Sequence, residues 1–190
     1  FKKNQYANAV KYYDQAIDLR RGDFVYAIYQ KAIIEGLRGR NNEKIKALKT
    51  LVQNYPNAPY VPDALYSLGA ILQESGQLQD AISPLRTLVF EYKGKTNLTN
   101  AGLLRLGLIS YNLGQLEASV AYYKEVFENN PEPEEIAQVL SSLEEIYVYD
   151  LGQPNEYVQL VENLPGYSID DYKRDSINFR TAEIRYENAD

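Results

Sequence analysis

Apolar side chains recur along the chain at the spacing of one face of an α-helix. Leu65, Leu68 and Leu72 stand at positions i, i+3 and i+7, and Ala81, Leu85 and Leu88 at i, i+4 and i+7. No segment alternates apolar and polar residues as a half-buried strand does. The pattern therefore predicts helices only, near residues 5–20, 25–38, 42–54, 62–75, 78–92, 99–113, 116–129, 134–150, 155–163 and 170–187.

These helices repeat in pairs with a fixed period. The segment that ends in Leu68-Gly69 aligns with the segment that ends in Leu106-Gly107, and the two glycines are 38 residues apart. Gly76 and Gly114 follow at equal distances and each precedes Gln-Leu. A period of this length indicates an array of helix pairs, in which each pair is covered by its neighbours.

Glycine has two different roles in this pattern. Gly69 and Gly107 fall inside the first helix of a pair, where glycine costs about 1 kcal/mol relative to alanine. We expect them to be there because a missing side chain lets the second helix approach closely. Gly76 and Gly114 fall where the first helix must end and the chain must reverse.

Three positions depart from the pattern. Lys44 stands where other pairs have a small residue, and Pro84 lies inside a second helix, where it removes a hydrogen bond and is expected to kink the helix. Glu144 stands where the packing glycine belongs, and the short helix after it is ended by Pro165-Gly166. We expect irregular packing in this last pair.

The order of these residues resembles the tetratricopeptide repeat (TPR) family, whose units have Leu-Gly, then alanine and an aromatic residue, and close with proline. Tyr12-Tyr13, Tyr122-Tyr123, Pro56 and Pro131 hold the aromatic and proline positions here. The resemblance covers nearly the whole chain and implies an all-α fold, a right-handed α-solenoid of antiparallel helix pairs. It implies a single array over 1–190, made of a half unit 1–23, units near 25–58, 62–95, 100–133 and 134–166, and a half unit 168–190. Because both ends fall within a unit and the chain has no methionine, we expect a piece of a longer repeat protein.

A closer resemblance concerns the junction between two units. The run from Tyr55 to Tyr66, Tyr-Pro-Asn-Ala-Pro-Tyr-Val-Pro-Asp-Ala-Leu-Tyr, is similar to junctions in the Tol-Pal-associated periplasmic TPR protein and in a TPR lipoprotein of outer-membrane assembly. The run from Tyr29 to Leu37 looks like long TPR proteins of Bacteroidetes, as do Asp175-Ser176 and Ala182-Glu183. This resemblance implies a periplasmic or cell-envelope location in a bacterium.

Composition removes several function classes. The chain has no cysteine and no histidine, which excludes disulfides, thiol chemistry and zinc sites built on those ligands. The acidic groups at Glu132, Glu134 and Glu135 and at Asp170, Asp171 and Asp175 are typical of helix starts rather than of metal or acid–base sites. We expect no enzyme activity, catalytic residue, cofactor or metal. With a net charge of −6 and scattered basic residues, we expect no nucleic-acid binding, and no apolar run is long enough to insert this segment into a membrane.

The expected function is therefore a scaffold that binds a protein or peptide on the concave face made by the first helices. Most of the 18 tyrosines are expected in the helix–helix core, but several large residues fall on that face. The candidate ligand-binding residues are Tyr26, Tyr29, Ile33, Tyr66, Gln73, Leu104, Arg105, Leu108 and Tyr111. The acidity of the chain favours a partner with some positive charge. Capture of a C-terminal carboxylate is not expected, because only Arg105 matches the basic residues that such TPR domains use.

Two alternatives stay open at this stage. In the first alternative, neighbouring repeats cover the nine candidate residues, which are then core residues. In the second, the chain is a structural spacer or an oligomerisation segment without a ligand groove, and it self-associates through its terminal half units.

Overall fold

The computed structural model describes the backbone of residues 2–187 and the side chains of residues 5–183 and 186. This part of the chain forms ten α-helices and one π-helical turn, and it contains no strand. The helices are α1 (Lys2–Asp18), α2 (Phe24–Leu37), α3 (Asn41–Asn54), α4 (Val61–Glu74), α5 (Leu78–Glu91), α6 (Thr99–Asn112), α7 (Leu116–Phe127), α8 (Pro133–Glu144), α9 (Pro154–Glu162) and α10 (Asp171–Glu187), and the π-helical turn is Glu145–Asp150. The all-α prediction is confirmed.

The chain divides into two compact units, Phe1–Ile109 and Ser110–Asp190, here called unit 1 and unit 2. In unit 1 the helices from α1 to α5 pack in chain order: α1 against α2, α2 against α3, α3 against α4 and α4 against α5. The predicted stripes form its core, because side chains at i, i+3, i+4 and i+7 share one helix face. Fully buried members of this core include Leu48, Leu51, Leu72, Leu85, Leu88, Leu103 and Leu106.

The turn after a first helix has the same geometry in both units. In α4 the N–H of Gly76 donates to the carbonyl of Gln73, and Gln77 donates to Leu72. Gly114 and the residue after it form the same two bonds at the end of α6. Gly76 and Gly114 have φ angles of 74° and 71°, in the left-handed region that favours glycine. Their predicted role as helix stops is confirmed.

The close approach predicted at Gly69 is also present. A Cβ atom added to Gly69 would lie 2.4 Å from Cγ of Leu85, which is fully buried in α5. Gly36 in α2 faces α3 instead, and there the nearest atom would be Cδ of Lys44 at 2.8 Å. The large Lys44 side chain is thus accommodated where the facing helix lacks a side chain. Helix α5 is continuous through Pro84, which is buried.

Unit 2 contains the irregular packing expected of the last pair. The α-helical hydrogen-bond pattern of α8 changes to a π-helical turn at Glu145, and α9 has only nine residues. Glu144 fills the position of the packing glycine and accepts hydrogen bonds from the Tyr157 hydroxyl at 3.4 Å and from Lys173 at 2.6 Å. A polar contact therefore replaces the apolar approach of unit 1. Among the described side chains of α10, Ile177 and Thr181 are buried, whereas Ala182 is exposed.

Both acidic groups lie at helix starts, as predicted. Glu132 precedes α8, and its N–H donates to the Glu135 carboxylate at 2.9 Å. Asp170 precedes α10 and accepts the N–H of Lys173 at 2.7 Å. These carboxylates satisfy N–H groups that have no partner within the helix.

The contact at Gly69 yields a prediction about stability. We expect Gly69→Ala to lower the free energy of unfolding by roughly 1–3 kcal/mol, because the new methyl overlaps a buried leucine that has no room to move. Gly36→Ala is the matched control: its methyl meets the flexible end of Lys44, so the gain in helix propensity should leave stability equal or higher. Urea unfolding followed by circular dichroism measures both. Equal destabilisation by the two substitutions would contradict this account.

Candidate interaction face

Three tyrosines, two on α2 and one just before α4, form one cluster in unit 1. Tyr26 and Tyr29 lie on α2, and Tyr60 immediately precedes α4. The Tyr26 and Tyr60 ring centroids are 5.1 Å apart with the rings tilted by 50°, and the Tyr29 and Tyr60 rings are stacked at 6.0 Å. Tyr26 keeps 40% of its surface exposed, and the other two are half-buried. We call Tyr26, Tyr29 and Tyr60 the tyrosine cluster.

Asp23 connects the cluster to the start of α2. One carboxylate oxygen accepts the backbone N–H of Tyr26 at 2.9 Å, and the other accepts the Tyr60 hydroxyl at 2.8 Å. The hydrogen bond to Asp23 raises the pKa of Tyr60, because the protonated phenol is the form that donates. Helix capping and ring placement therefore depend on the same carboxylate.

Tyr29 is positioned by α4. Burial is the largest cause of its raised pKa, and the negative charge of Asp63 adds to the rise. The Ser67 side chain hydrogen-bonds to the Tyr29 phenol and opposes that rise. The ring is thus fixed on both sides while part of its surface stays open.

Tyr66, Gln73 and Arg105 form a second group, also in unit 1. The guanidinium of Arg105 lies 5.2 Å from the centre of the Tyr66 ring, and its Nε donates to the Tyr66 hydroxyl at 3.2 Å. Its Nη1 donates to Oε1 of Gln73 at 2.7 Å, and its Nη2 is 3.9 Å from the Glu74 carboxylate. Arg105 is therefore engaged within the chain.

The remaining four predicted residues join neither group. Ile33 on α2 and Leu104 on α6 are half-buried, and Leu108 is 42% exposed. Tyr111 belongs to unit 2, where burial and a hydrogen bond to Asp150 raise its pKa. None of the nine predicted residues is fully buried: Tyr26 and Leu108 are exposed, and the other seven are half-buried.

Sequence reasoning missed Tyr60, Asp23 and Glu74. Tyr60 and Asp23 precede their helices, where a period of 3.6 residues carries no information about facing. The prediction that most tyrosines are core was wrong in degree: Tyr123, Tyr147 and Tyr157 are buried, ten tyrosines are half-buried, and Tyr12, Tyr26, Tyr149, Tyr172 and Tyr186 are exposed. A half-buried tyrosine buries its ring while its hydroxyl stays at the surface, which explains the difference.

Unit 1 also has an open groove at the α3–α4 connection, with a volume of about 650 Å³. The Tyr92 hydroxyl donates across it to the Pro56 carbonyl at 3.0 Å. None of the nine predicted residues lines this groove; its lining is Pro56, Asn57, Ala58, Pro59, Pro62, Glu91, Tyr92 and Lys95.

Two other features are absent from the described part of the chain. No helix there is long and apolar enough to cross a membrane. No three acidic side chains within it come together in a group that could hold a metal ion.

Comparison with known proteins gives one consistent result. Profiles of the tetratricopeptide repeat match residues 1–23, 26–58 and 102–133. The fold is shared with MamA (16% identity over 99% of this chain and 93% of that one, TM-score 0.65). It is shared also with TPR-like repeats of a putative kinesin light chain from Podosopora anserina (15% identity over 98% of this chain and 90% of that one, TM-score 0.58). A third similar structure is a tetratricopeptide repeat protein from Parabacteroides merdae (13% identity over 98% of this chain and 68% of that one, TM-score 0.55). No curated protein sequence matches the chain.

The contact between Asp23 and Tyr60 gives a prediction about proton binding. The raised pKa of Tyr60 means that the folded chain keeps this phenol protonated to higher pH than the unfolded chain does. Its contribution to stability is therefore complete below the ordinary value near 10 and is lost as pH rises through the raised pKa. In Asp23→Asn, which still caps the helix, we expect the pKa of Tyr60 to fall.

Titration of the tyrosine ¹³Cζ signals by NMR measures this effect. Tyr111 is the internal control, because Asp150 and burial act on it and Asp23 does not. An unchanged Tyr60 midpoint in Asp23→Asn would show that the hydrogen bond does not control this group.

Proposed function

Because this chain belongs to the tetratricopeptide repeat family, whose repeats mediate protein–protein interaction, we propose that it is a scaffold for a peptide or protein partner. The binding surface is the first-helix face of unit 1, defined by the tyrosine cluster together with Ile33 and Tyr66. The observation that supports this assignment is the tyrosine cluster itself, a set of partly exposed rings held in a fixed arrangement.

Such a surface is suited to binding because the tyrosine side chains are already ordered in the folded chain, so that little conformational entropy is lost when a partner binds. Tyrosine offers a large amphipathic contact area and loses few rotatable bonds on binding. Here ring stacking and the hydrogen bond that the Tyr60 hydroxyl donates to Asp23 hold the rings before a partner arrives. Preorganised contacts of this kind increase affinity by lowering the entropic cost of association.

A binding role fits the chemistry of the chain better than catalysis. Tetratricopeptide repeats typically serve as scaffolds, and the chain has no histidine or cysteine to act as base or nucleophile. The Arg105 group, which has the densest set of polar contacts on the face, is satisfied internally by Tyr66 and Gln73.

A second candidate function, self-association as an oligomerisation segment, is favoured by one surface of unit 2. Helix α10 exposes Tyr172, Phe179 and Tyr186, which are 85%, 66% and 76% accessible. Their spacing of seven residues places them along one side of the helix. Apolar stripes of this kind are commonly covered by another helix.

One crosslinking experiment separates the two functions. We expect p-benzoylphenylalanine at position 26 to crosslink a different protein in the native host, because Tyr26 lies in the exposed part of the cluster. The same amino acid at position 12, on α1 and 70% exposed, is the matched control and should crosslink little. Mass spectrometry identifies the products.

The outcome at a third position tests the alternative. Crosslinks from position 179 to a second copy, with none from position 26 to another protein, would replace the binding scaffold by the oligomerisation segment. Equal crosslinking from positions 26 and 12 would count against any dedicated face.

We propose further that the partner is met in the bacterial cell envelope. The support is the junction from Tyr55 to Tyr66, whose residues resemble those of periplasmic TPR proteins. In the structure this junction contributes Tyr60 to the cluster and Pro56 and Pro59 to the neighbouring groove.

Fractionation of the native host checks the proposed location. We expect the full-length protein in the periplasmic or membrane fraction, alongside a periplasmic marker and apart from a cytoplasmic enzyme. Recovery with the cytoplasmic enzyme would refute the envelope setting and leave the binding face unaffected.

A further inference from the structure

We propose that the tyrosine cluster is a receptor for an arginine side chain of the partner polypeptide. This inference rests on the proposed function, since it specifies what the first-helix face of unit 1 recognises. It is carried by a comparison of two equivalent junctions inside unit 1, one of which already contains an arginine.

The turn glycines make the two junctions comparable residue by residue. Tyr66 lies ten residues before Gly76, and Tyr29 lies ten residues before Gly39, which has the same left-handed φ. Arg105 lies nine residues before Gly114, and Ser67 nine residues before Gly76. The pair Tyr66 and Arg105 therefore corresponds to the pair Tyr29 and Ser67.

The contacts agree with this correspondence. Arg105 of α6 donates a hydrogen bond to the hydroxyl of Tyr66 on α4, and the Ser67 side chain of α4 acts on the Tyr29 phenol of α2 and lowers its pKa. Arg105 also places its guanidinium over the Tyr66 ring, at 5.2 Å from the ring centre. Serine is short and uncharged and cannot do this. The junction at Tyr29 therefore has an aromatic ring in the equivalent position but no cation over it.

The other side chains of the junction at Tyr29 complete a cation site. Asp23 holds the Tyr60 hydroxyl, and the exposed Asp63 acts on Tyr29, so two carboxylates border three rings. Cation–ring pairs form in the described residues at Tyr66, Phe90, Tyr92 and Tyr147, but not at the tyrosine cluster. Lys31, the nearby cation of α2, is paired with Asp14.

Arginine fits this site better than lysine does. Its planar guanidinium stacks on aromatic faces and offers several N–H donors to carboxylates at the same time. The internal pairing of Arg105 shows both interactions, with the Tyr66 ring and with the oxygen of Gln73. A partner segment with an exposed arginine is therefore the chemistry that the cluster complements.

The test uses peptides of 12 residues, selected by display against the whole chain and measured by fluorescence polarisation. In a selected peptide each arginine is replaced by citrulline, which has nearly the same shape and no charge. We expect one such replacement to weaken binding roughly tenfold, the effect of losing a cation–π contact together with its carboxylate partners. Peptides selected in the same way against Tyr26→Leu should not show this dependence.

Two arginine substitutions test the same idea from the side of the protein. Ser67→Arg should fill the site with an internal arginine, as Arg105 does at Tyr66, and should reduce peptide binding at least tenfold. Ser83→Arg is the matched control, since it adds the same side chain at an exposed position of the second helix α5 and should retain binding within about twofold. Thermal unfolding confirms that both variants are folded.

The outcomes separate this inference from the proposed function. If no selected peptide depends on Tyr26, the first-helix face is not a binding surface and the proposed function fails. If peptides depend on Tyr26 but bind equally well with citrulline and to Ser67→Arg, the scaffold stands and the arginine receptor is overturned.

Discussion

The distance between paired helices is set at positions that have no room for a side chain. Gly69 is the clearest of these, because Leu85 occupies the space that a Cβ atom would need. Close approach brings the leucine stripes of α4 and α5 into contact, so the burial of Leu68, Leu72 and Leu88 depends on it. Since interiors are packed to the density of crystals, a wider spacing would leave voids along the whole stripe. The α4–α5 pair of unit 1 is built on this spacing.

The exposed face inherits its order from that packing. Because α2 and α4 are packed against their second helices, the rings of Tyr29 and Tyr60 stack and Ser67 acts on the Tyr29 phenol. Asp23 then performs two functions, capping α2 and anchoring the Tyr60 hydroxyl. The same arrangement one repeat later holds Arg105 on Tyr66. Repetition of the backbone thus produces equivalent positions, and substitution at one of them decides whether a junction is filled internally or left open.

Periodicity predicted the interior of this protein well because helix packing is a local and repeated constraint. The stripes, the packing role of Gly69, the turns at Gly76 and Gly114 and the irregular last pair all follow from it. The contacts of the face do not, since Asp23 and Tyr60 are far apart in sequence and both lie outside a helix. Of the nine predicted face residues, three meet in one internally paired group and two in the tyrosine cluster. The third member of the cluster, Tyr60, lies in the connection before α4, where the spacing of apolar residues does not predict which way a side chain faces.

Glu144 gives unit 2 a different kind of cohesion from unit 1. Where a glycine would allow hydrocarbon to touch hydrocarbon, this carboxylate joins Tyr157 of α9 and Lys173 of α10 through charge and hydrogen bonds. Ion pairs that reach the solvent weaken as electrolyte is added, whereas burial of leucine does not. Unit 1 is therefore held by apolar packing, and the last helices of unit 2 are held in part by an ion pair. High ionic strength would weaken the contacts of Glu144 first and allow α10 to detach, while unit 1, which displays the tyrosine cluster, stays folded.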